Sequence, residues 1–365
     1  MGVMYDFSML DIPSDIKSMS FLLGYMAITV ILFRVFYNVY LHPLSAFPGP
    51  KIFAASSIPL ALAQLRGRCH KEIKAAHDKY GSVVRIAPNE LSFTSAGAWN
   101  DIYARREGKP AFKKDRIFFN DMLVDSQTLT VMNDFDHGRI RRAMAPGFSP
   151  RSMLLHESII ERNVELFITQ IEKKCKEKSA IDLRMWYNYT TFDLIGDLAF
   201  GETFGCLENS EYHEWVAFVL DYFFAATLLQ VVHRFYPLNK VLALLLPASL
   251  LEKIDKHNQM SVEKVRGRLR KGTDRPDFVH YMMKATESKS ITVKEVETQA
   301  SIFILAGSET TSVALAFATW FLLSKPELLK KLCDEVRGNF ANEGDIDLLS
   351  INRLLYRLPQ SPTWA

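Results

Sequence analysis

The apolar and polar positions of this chain fall into two kinds of run. Met19 to Leu41 is almost unbroken apolar sequence, about 20 residues and long enough to cross a bilayer as a helix. Its one charge, Arg34, lies toward the C-terminal end, where a long side chain reaches the interface, and Tyr37 and Tyr40 fall in the same belt. Beyond it the pattern is mainly of helical period. Cys69 to Tyr80, Trp99 to Arg105, the stripe Ile160, Val164, Phe167, Ile168 and Ile171, Trp186 to Gly205, Trp215 to Phe235 and Lys253 to Arg270 read as helices. Residues 82–88 and 90–94 read as two short strands around a Pro-Asn turn, the only clear β signal.

The longest periodic stretch is Thr292 to Leu323. Thr292 with Glu295 three residues on makes a capping box, and no proline intervenes before Pro326. As one helix it would run about 48 Å. Its second half is apolar all round, which predicts burial on every side. Its centre is a polar island, Ala306-Gly307-Ser308-Glu309-Thr310-Thr311, whose single carboxylate is costly unless paired or used. Helical spacing predicts that Phe303, Ala306, Gly307, Thr310 and Ala314 share one face. The Thr310 hydroxyl can bond back to the Ala306 carbonyl, and Gly307 makes a bend easy. The predicted result is a groove open to a flat ligand; the alternative is a buried helix with a local Ser/Thr kink.

Other motifs fill in the frame. Phe47-Pro48-Gly49-Pro50 is a stiff turn after the apolar run. In residues 134–142, His137 and Arg141 are four apart and project from one helical face. The Arg141 fork suits a carboxylate and His137 can donate a ring N–H; a solvated basic face is the alternative. Ser149-Pro150 opens a helix, and Ser324-Lys325-Pro326-Glu327 reads as a second capping box with Gly338 as the stop. The sequon Asn188-Tyr189-Thr190 is read as chance.

Composition narrows the classes. A hydrophobic content of 48%, with 25 phenylalanines, is enough for a large core and a membrane segment. The formal charge of +3 shows no nucleic-acid footprint. Cys69, Cys175, Cys206 and Cys333 have no CxxC-type spacing and read as reduced thiols in a cytosol-facing body. Asp6, Asp11 and Asp15, against a single Lys17, lie on the N-terminal flank while Arg34 near the end of the run and then Lys51 lie on the C-terminal flank, which orients the main body to the cytosol. The acidic start and long apolar run argue against a cleaved signal peptide.

The polar island resembles the oxygen-activation motif of the cytochrome P-450 monooxygenases, a small-Gly-x-acid-Thr-Thr/Ser signature on their longest helix. The Pro-Gly hinge after an anchor, and residues 191–201 as a helix with its exit, resemble fungal microsomal members in type and order. The resemblance covers residues 19 to 354. It implies a mainly α fold with a small β-sheet region, a partial cytochrome P-450 fold with an N-terminal transmembrane helix. It also implies heme as cofactor, an NADPH-dependent flavoprotein reductase as electron donor, and lipophilic small-molecule substrates of fungal specialised metabolism. The location it implies is the endoplasmic reticulum membrane, single-pass. Residues 1–18 would be lumenal, 19–41 the anchor, 42–354 the catalytic domain and 355–365 an atypical tail. Carried over residue by residue, Glu309 and Thr310 organise protons and water. Ala306 and Gly307 leave room beside the heme, and Arg141 binds a heme propionate with His137 where the family more often has Trp.

Two family features have no match in these residues. The axial ligand is a cysteine thiolate in a Phe-x-x-Gly-x-x-x-Cys-x-Gly loop, which pushes electron density onto iron. No such loop is present, Cys333 reads as a mid-helix packing thiol, and the Glu-x-x-Arg helix is missing. The tail LYRLPQSPTWA matches nothing in the family and reads as an altered frame or retained intron. The central helix would then be left bare on one side, well above the apolar patches normal for soluble monomers. Three readings follow: a fungal-type monooxygenase if complete, a non-catalytic remnant of that family, or a two-span membrane protein using residues 301–323, which Glu309 at mid-depth opposes.

Overall fold

The computed structural model describes residues 14–354 other than 105–107, 109–111, 116, 120–126 and 272–274. The chain divides into two units, Met1–Phe112 with Val231–Tyr236, and Lys113–Gln230 with Pro237–Trp364. The tail 355–365 and most of the segment before the anchor lie outside the described residues.

In the first unit, α1 (Ser14–Phe36) continues into a π-helical turn, Tyr37–Leu41. The span Ser18–Leu41 is long and apolar enough to cross a membrane, and none of it is buried. Short helices follow, α2 (Lys51–Ala55), α3 (Ile58–Leu65) and α4 (Cys69–Tyr80). Then come β1 (Val83–Ala87), β2 (Glu90–Phe93) and α5 (Ala96–Tyr103). The strands pair antiparallel across Pro88-Asn89, with Val84 opposite Ser92 and an irregularity between Arg85 and Ala87. Leu60, Ala76, Val84, Ile86 and Ala87 form a small core under the sheet. The helix predicted at Trp99 begins three residues earlier, after Ser95, whose extended backbone starts it.

The proline-glycine turn is fastened to the sheet. Arg85 N–H donates to the Pro48 carbonyl at 2.8 Å. A Cβ on Gly49 would stand 2.5 Å from the Arg85 carbonyl, so close backbone approach requires glycine there. The Arg85 guanidinium, 1% exposed, donates to Pro88 O and to Asn38 O at 2.8 Å, tying β1 to the π-helical turn.

The regular elements of the second unit are all helices among its described residues. Its elements begin with α6 (Asp134–Met144), α7 (Pro150–Leu155), α8 (Glu157–Lys176), α9 (Leu183–Phe200) and α10 (Cys206–Asn209). After these come α11 (Glu214–His233, its last residues grouped with the first unit), α12 (Asn239–Leu242), α13 (Ala248–Lys271) and α14 (Phe278–Glu287). The series closes with α15 (Val293–Gly307), α16 (Glu309–Leu323) and α17 (Pro326–Asn339). Helix α9 is the axis of the core. It is capped by the Asp182 carboxylate and ended by Gly201 at φ 73°, a left-handed conformation that glycine adopts without strain. Thirteen of its residues are buried, so it needs neighbours on all sides and contacts α8, α10, α15 and α16. Buried Asp193 on α9 accepts N–H groups of Phe204, Cys206 and Leu207, which folds the exit loop back onto the helix.

Two predicted boundaries move. The Ser149 cap forms, its hydroxyl accepting from Ser152 N–H, but the helix breaks at His156 into α7 and α8. There the His156 ring donates to Pro276 O at 2.6 Å, a tertiary bond no local pattern encodes. The second capping box does not form. Ser324 Oγ turns back to Trp320 O at 2.7 Å, so α17 opens on Pro326 without a side-chain cap and runs through Gly338.

Candidate functional site

The central stretch is two helices meeting at Ser308. The Thr292–Glu295 capping box starts α15 as predicted. At the junction Ser308 Oγ donates to Ile304 O at 2.6 Å and Thr310 Oγ1 to Ala306 O at 2.5 Å. Two hydroxyls thus share carbonyls with the helical ladder within one turn, the Ile304 carbonyl still accepting Ser308 N–H, an arrangement that bends helices. The expected Thr310 back-bond is present.

The single predicted face does not hold. Phe303 is 6% exposed, its ring 5.4 Å from Phe278. Gly307 turns toward α9, where a Cβ would meet Ile195 Cδ1 at 2.6 Å. Only Ala306, Thr310 and Ala314 face outward. Adjacent residues sit about 100° apart on a helix, so a face containing both Ala306 and Gly307 is wide enough for one edge to roll into the core. Gly307 therefore permits close packing of α15 on α9 and does not open the outer side.

Nor does burial on every side hold for the second half. Ser312 is the one buried residue of α16, while Phe317, Trp320 and Leu323 are largely exposed. Its described cover is α9 on one side and α17 near its end. The rest of α16 is bare among the described residues.

Glu309 is paired. Asn188 Nδ2, on α9, donates to its Oε2 at 2.6 Å. Asn188 is 6% exposed, and its own Oδ1 is buried without a partner among the described residues. Sequence reasoning set Asn188 aside as a chance sequon; only the packing of α16 on α9 brings it to the acid.

A second tie sets what lies along the exposed side. Glu295, Gln299, Ala306 and Thr310 are spaced by four, seven and four residues, one stripe of the helix. Arg139 on α6 binds Glu295 (2.5 and 3.2 Å) and the Ser290 carbonyl. Gln299, 1% exposed, accepts from Leu129 N–H at 2.7 Å and donates to Gln127 O. The Arg139 guanidinium holds the Glu295 carboxyl below the usual carboxylate range. So α6 and the segment before it cover the N-terminal part of the stripe, and the open part begins at Ala306. Sequence reasoning missed Arg139; it read as one more charge on a basic helix.

His137 and Arg141 lie on this α6, half-buried and exposed respectively. Burial, then Lys114 and Arg141 nearby, push His137 toward its neutral form, so one ring nitrogen carries a proton to donate. Lys114 was not foreseen, since its loop has no periodicity. Lys114, which donates to the Thr130 carbonyl at 2.6 Å, and Arg141 put two cations near His137, with the Asp134 carboxylate beside them.

These features fit part of a heme site. The open stripe at Ala306–Thr310 is lined with small groups, and the donors on and beside α6 suit propionates. Cys333 is half-buried on α17, Cys175 exposed on α8, and Cys69 belongs to the first unit. Cys206 is buried, its thiol pushed up to about 12 by desolvation, so it is not a thiolate. No described cysteine is on the open stripe.

The cytochrome P450 family model matches residues 48–357. The chain is 56% identical over 321 residues to cytochrome P450 monooxygenase astD of Aspergillus oryzae, covering 88% of this chain and 63% of that protein. It is 39% identical to trichothecene C-15 hydroxylase of Fusarium sporotrichioides (92% and 67% covered). It is 36% identical to averantin hydroxylase of Dothistroma septosporum (94% and 66% covered). A fold mostly of helices with one small sheet, a broken central helix carrying an acid and a hydroxyl, and these matches define a heme-iron class of protein. The chain belongs to the cytochrome P450 family. It spans about 63% of the length of its relative from A. oryzae.

Proposed function

We propose that this chain is the oxygen-handling part of a fungal P450 monooxygenase that oxidises a lipophilic small molecule of specialised metabolism. The observation that carries this is the Ser308 junction, where Glu309 is anchored beside Thr310 at the start of an open stripe flanked by the His137 and Arg141 helix. The names of the relatives, two of them hydroxylases, support the reaction class.

In this reading Arg141 and His137, with Lys114 nearby, would hold the propionates, and Ala306 would leave space against the ring. Glu309 holds a proton at its carboxylate, and Thr310 Oγ1 donates toward the open side when it leaves the Ala306 carbonyl. Bound heme supplies the iron at which dioxygen is activated. No cysteine of the second unit lies on the open stripe, so in this reading a thiolate ligand would be supplied by the part of the A. oryzae relative that this chain does not match. The apolar span 19–41 anchors the protein in the endoplasmic reticulum membrane with residues 42–354 in the cytosol. An NADPH-dependent flavoprotein reductase delivers electrons there.

The test joins residues 1–354 to the unmatched remainder of the A. oryzae relative and records a reduced carbon-monoxide difference spectrum of expressing membranes. The graft is expected to give a Soret band of thiolate heme, and the chain alone is expected to give none. A graft that folds and gives no such band overturns the reading.

A further inference from the structure

Asn188 is buried with one half of its carboxamide in use and the other idle. Its N–H meets the Glu309 carboxylate at 2.6 Å, while Oδ1 is buried without a partner among the described residues. A buried acceptor left unmatched is destabilising, so native structures rarely keep one without a use. The amide orientation is set by the acid's charge: an ionised carboxylate only accepts, so it needs the N–H. A protonated Glu309 would be a donor, and the idle oxygen is then the group it needs.

We propose that Asn188 is a positioning residue for Glu309, its carboxamide holding the acid in both protonation states. With the carboxylate, Nδ2 donates to Oε2. When water delivers a proton to Glu309, the amide turns about its last torsion and Oδ1 accepts the new O–H. When Glu309 gives the proton up toward Thr310, the first arrangement returns. No charge is created or lost at Asn188, so its hold on the acid survives each transfer. A lysine or arginine in its place would favour the ionised acid and resist the proton. Helix α9 makes the arrangement stiff, since Asn188 sits among residues 186–193, all but one of them buried. Tyr212, before α11, is a titratable side chain near the Glu309 carboxylate, with Arg184 and Asp182 in turn near Tyr212. The proposal rests on the reading that Glu309 carries protons, but its test needs no heme.

The measurement is amide hydrogen exchange across residues 305–312 in the full chain at pH 7. Asn188→Leu removes donor and acceptor, and exchange is expected to rise about ten-fold or more, the scale for losing a bond to a charged group. Glu309→Gln, an imitation of the neutral acid, is expected to stay within about three-fold of the parent, because its N–H can use the idle oxygen. Asn188→Asp sets two carboxylates against each other and is expected to behave like Asn188→Leu, recovering at pH 5 as the pair shares a proton. Asn188→Asp with Glu309→Gln reverses donor and acceptor and is expected to restore protection at pH 7. This swap decides the matter if the leucine variant does not fold. The proposal is overturned if the double variant exchanges as fast as Asn188→Asp, or if Glu309→Gln exchanges as fast as Asn188→Leu. Either failure leaves the monooxygenase reading to its own spectrum.

Discussion

Helices α15 and α16 have the same length, 15 residues, and follow one another with a single residue between, yet they live in different surroundings. Helix α15 is packed by α9, α13 and α14 and buries eight of its residues; α16 buries one. The more apolar of the two is the more exposed. Apolarity therefore records what a helix is built to meet, and only the packing shows whether the partner is there. At their junction the polar groups belong to neither regime: Glu309 and Ser308 face inward to partners, and Thr310 and Ala306 face out.

Substitutions can break this comparison. The largest effect is expected from Ile304→Ala on α15, wholly buried, at about 2–5 kcal/mol of unfolding free energy. Its counterpart Phe317→Ala on α16, 66% exposed, is expected to change stability by less than about 0.5 kcal/mol. Equal losses in denaturant titrations of the two would show that α16 is as well packed as α15.

Arg139→Ala comes next. It strips Glu295 of its cation and frees α6 from the stripe, at about 2–3 kcal/mol for a partly buried charge-assisted pair. The pH dependence has a definite sign. Glu295 has its folded-state value depressed from 4.5, so its contribution is present above that value and is lost as pH falls below it. The stability gap between parent and Arg139→Ala is expected to narrow as pH drops through this range. A gap that stays constant or widens there would remove the pair from the account.

Gly307→Ala places a Cβ 2.6 Å from Ile195 Cδ1 and is expected to cost about 1–3 kcal/mol by overpacking. Double substitution with Ile195→Val is expected to recover part of it. A neutral Gly307→Ala would mean that the glycine faces the open stripe after all. The smallest effect is Ser324→Ala, whose hydroxyl bonds only the preceding turn; the expected change is within about 0.5 kcal/mol by thermal denaturation.

What could be read from the sequence follows the range of the interactions. The Thr292 capping box, the strands around Pro88-Asn89 and the Thr310 back-bond depend on residues within ten positions, and each is where the pattern put it. The apolar span and the polar island needed only composition and spacing. The direction in which Gly307 points, the break at His156 and the unused Ser324 cap depend on helices far away in sequence. Asn188 and Glu309 are 121 residues apart, and Arg139 and Glu295 are 156 apart. No local period marks such partners, because each is an ordinary polar residue until the helices pack.

The central claim is that the open side at Ala306 and Thr310 is the side that meets the heme. The direct measurement is heme content, by the reduced carbon-monoxide difference spectrum, of the graft carrying Ala306→Phe. Ala306 is exposed, so the larger ring enters the open stripe without disturbing the core. The account predicts a folded protein whose thiolate-heme band is lost or reduced to a small fraction of the unsubstituted graft's. An Ala306→Phe graft with the full band would contradict it.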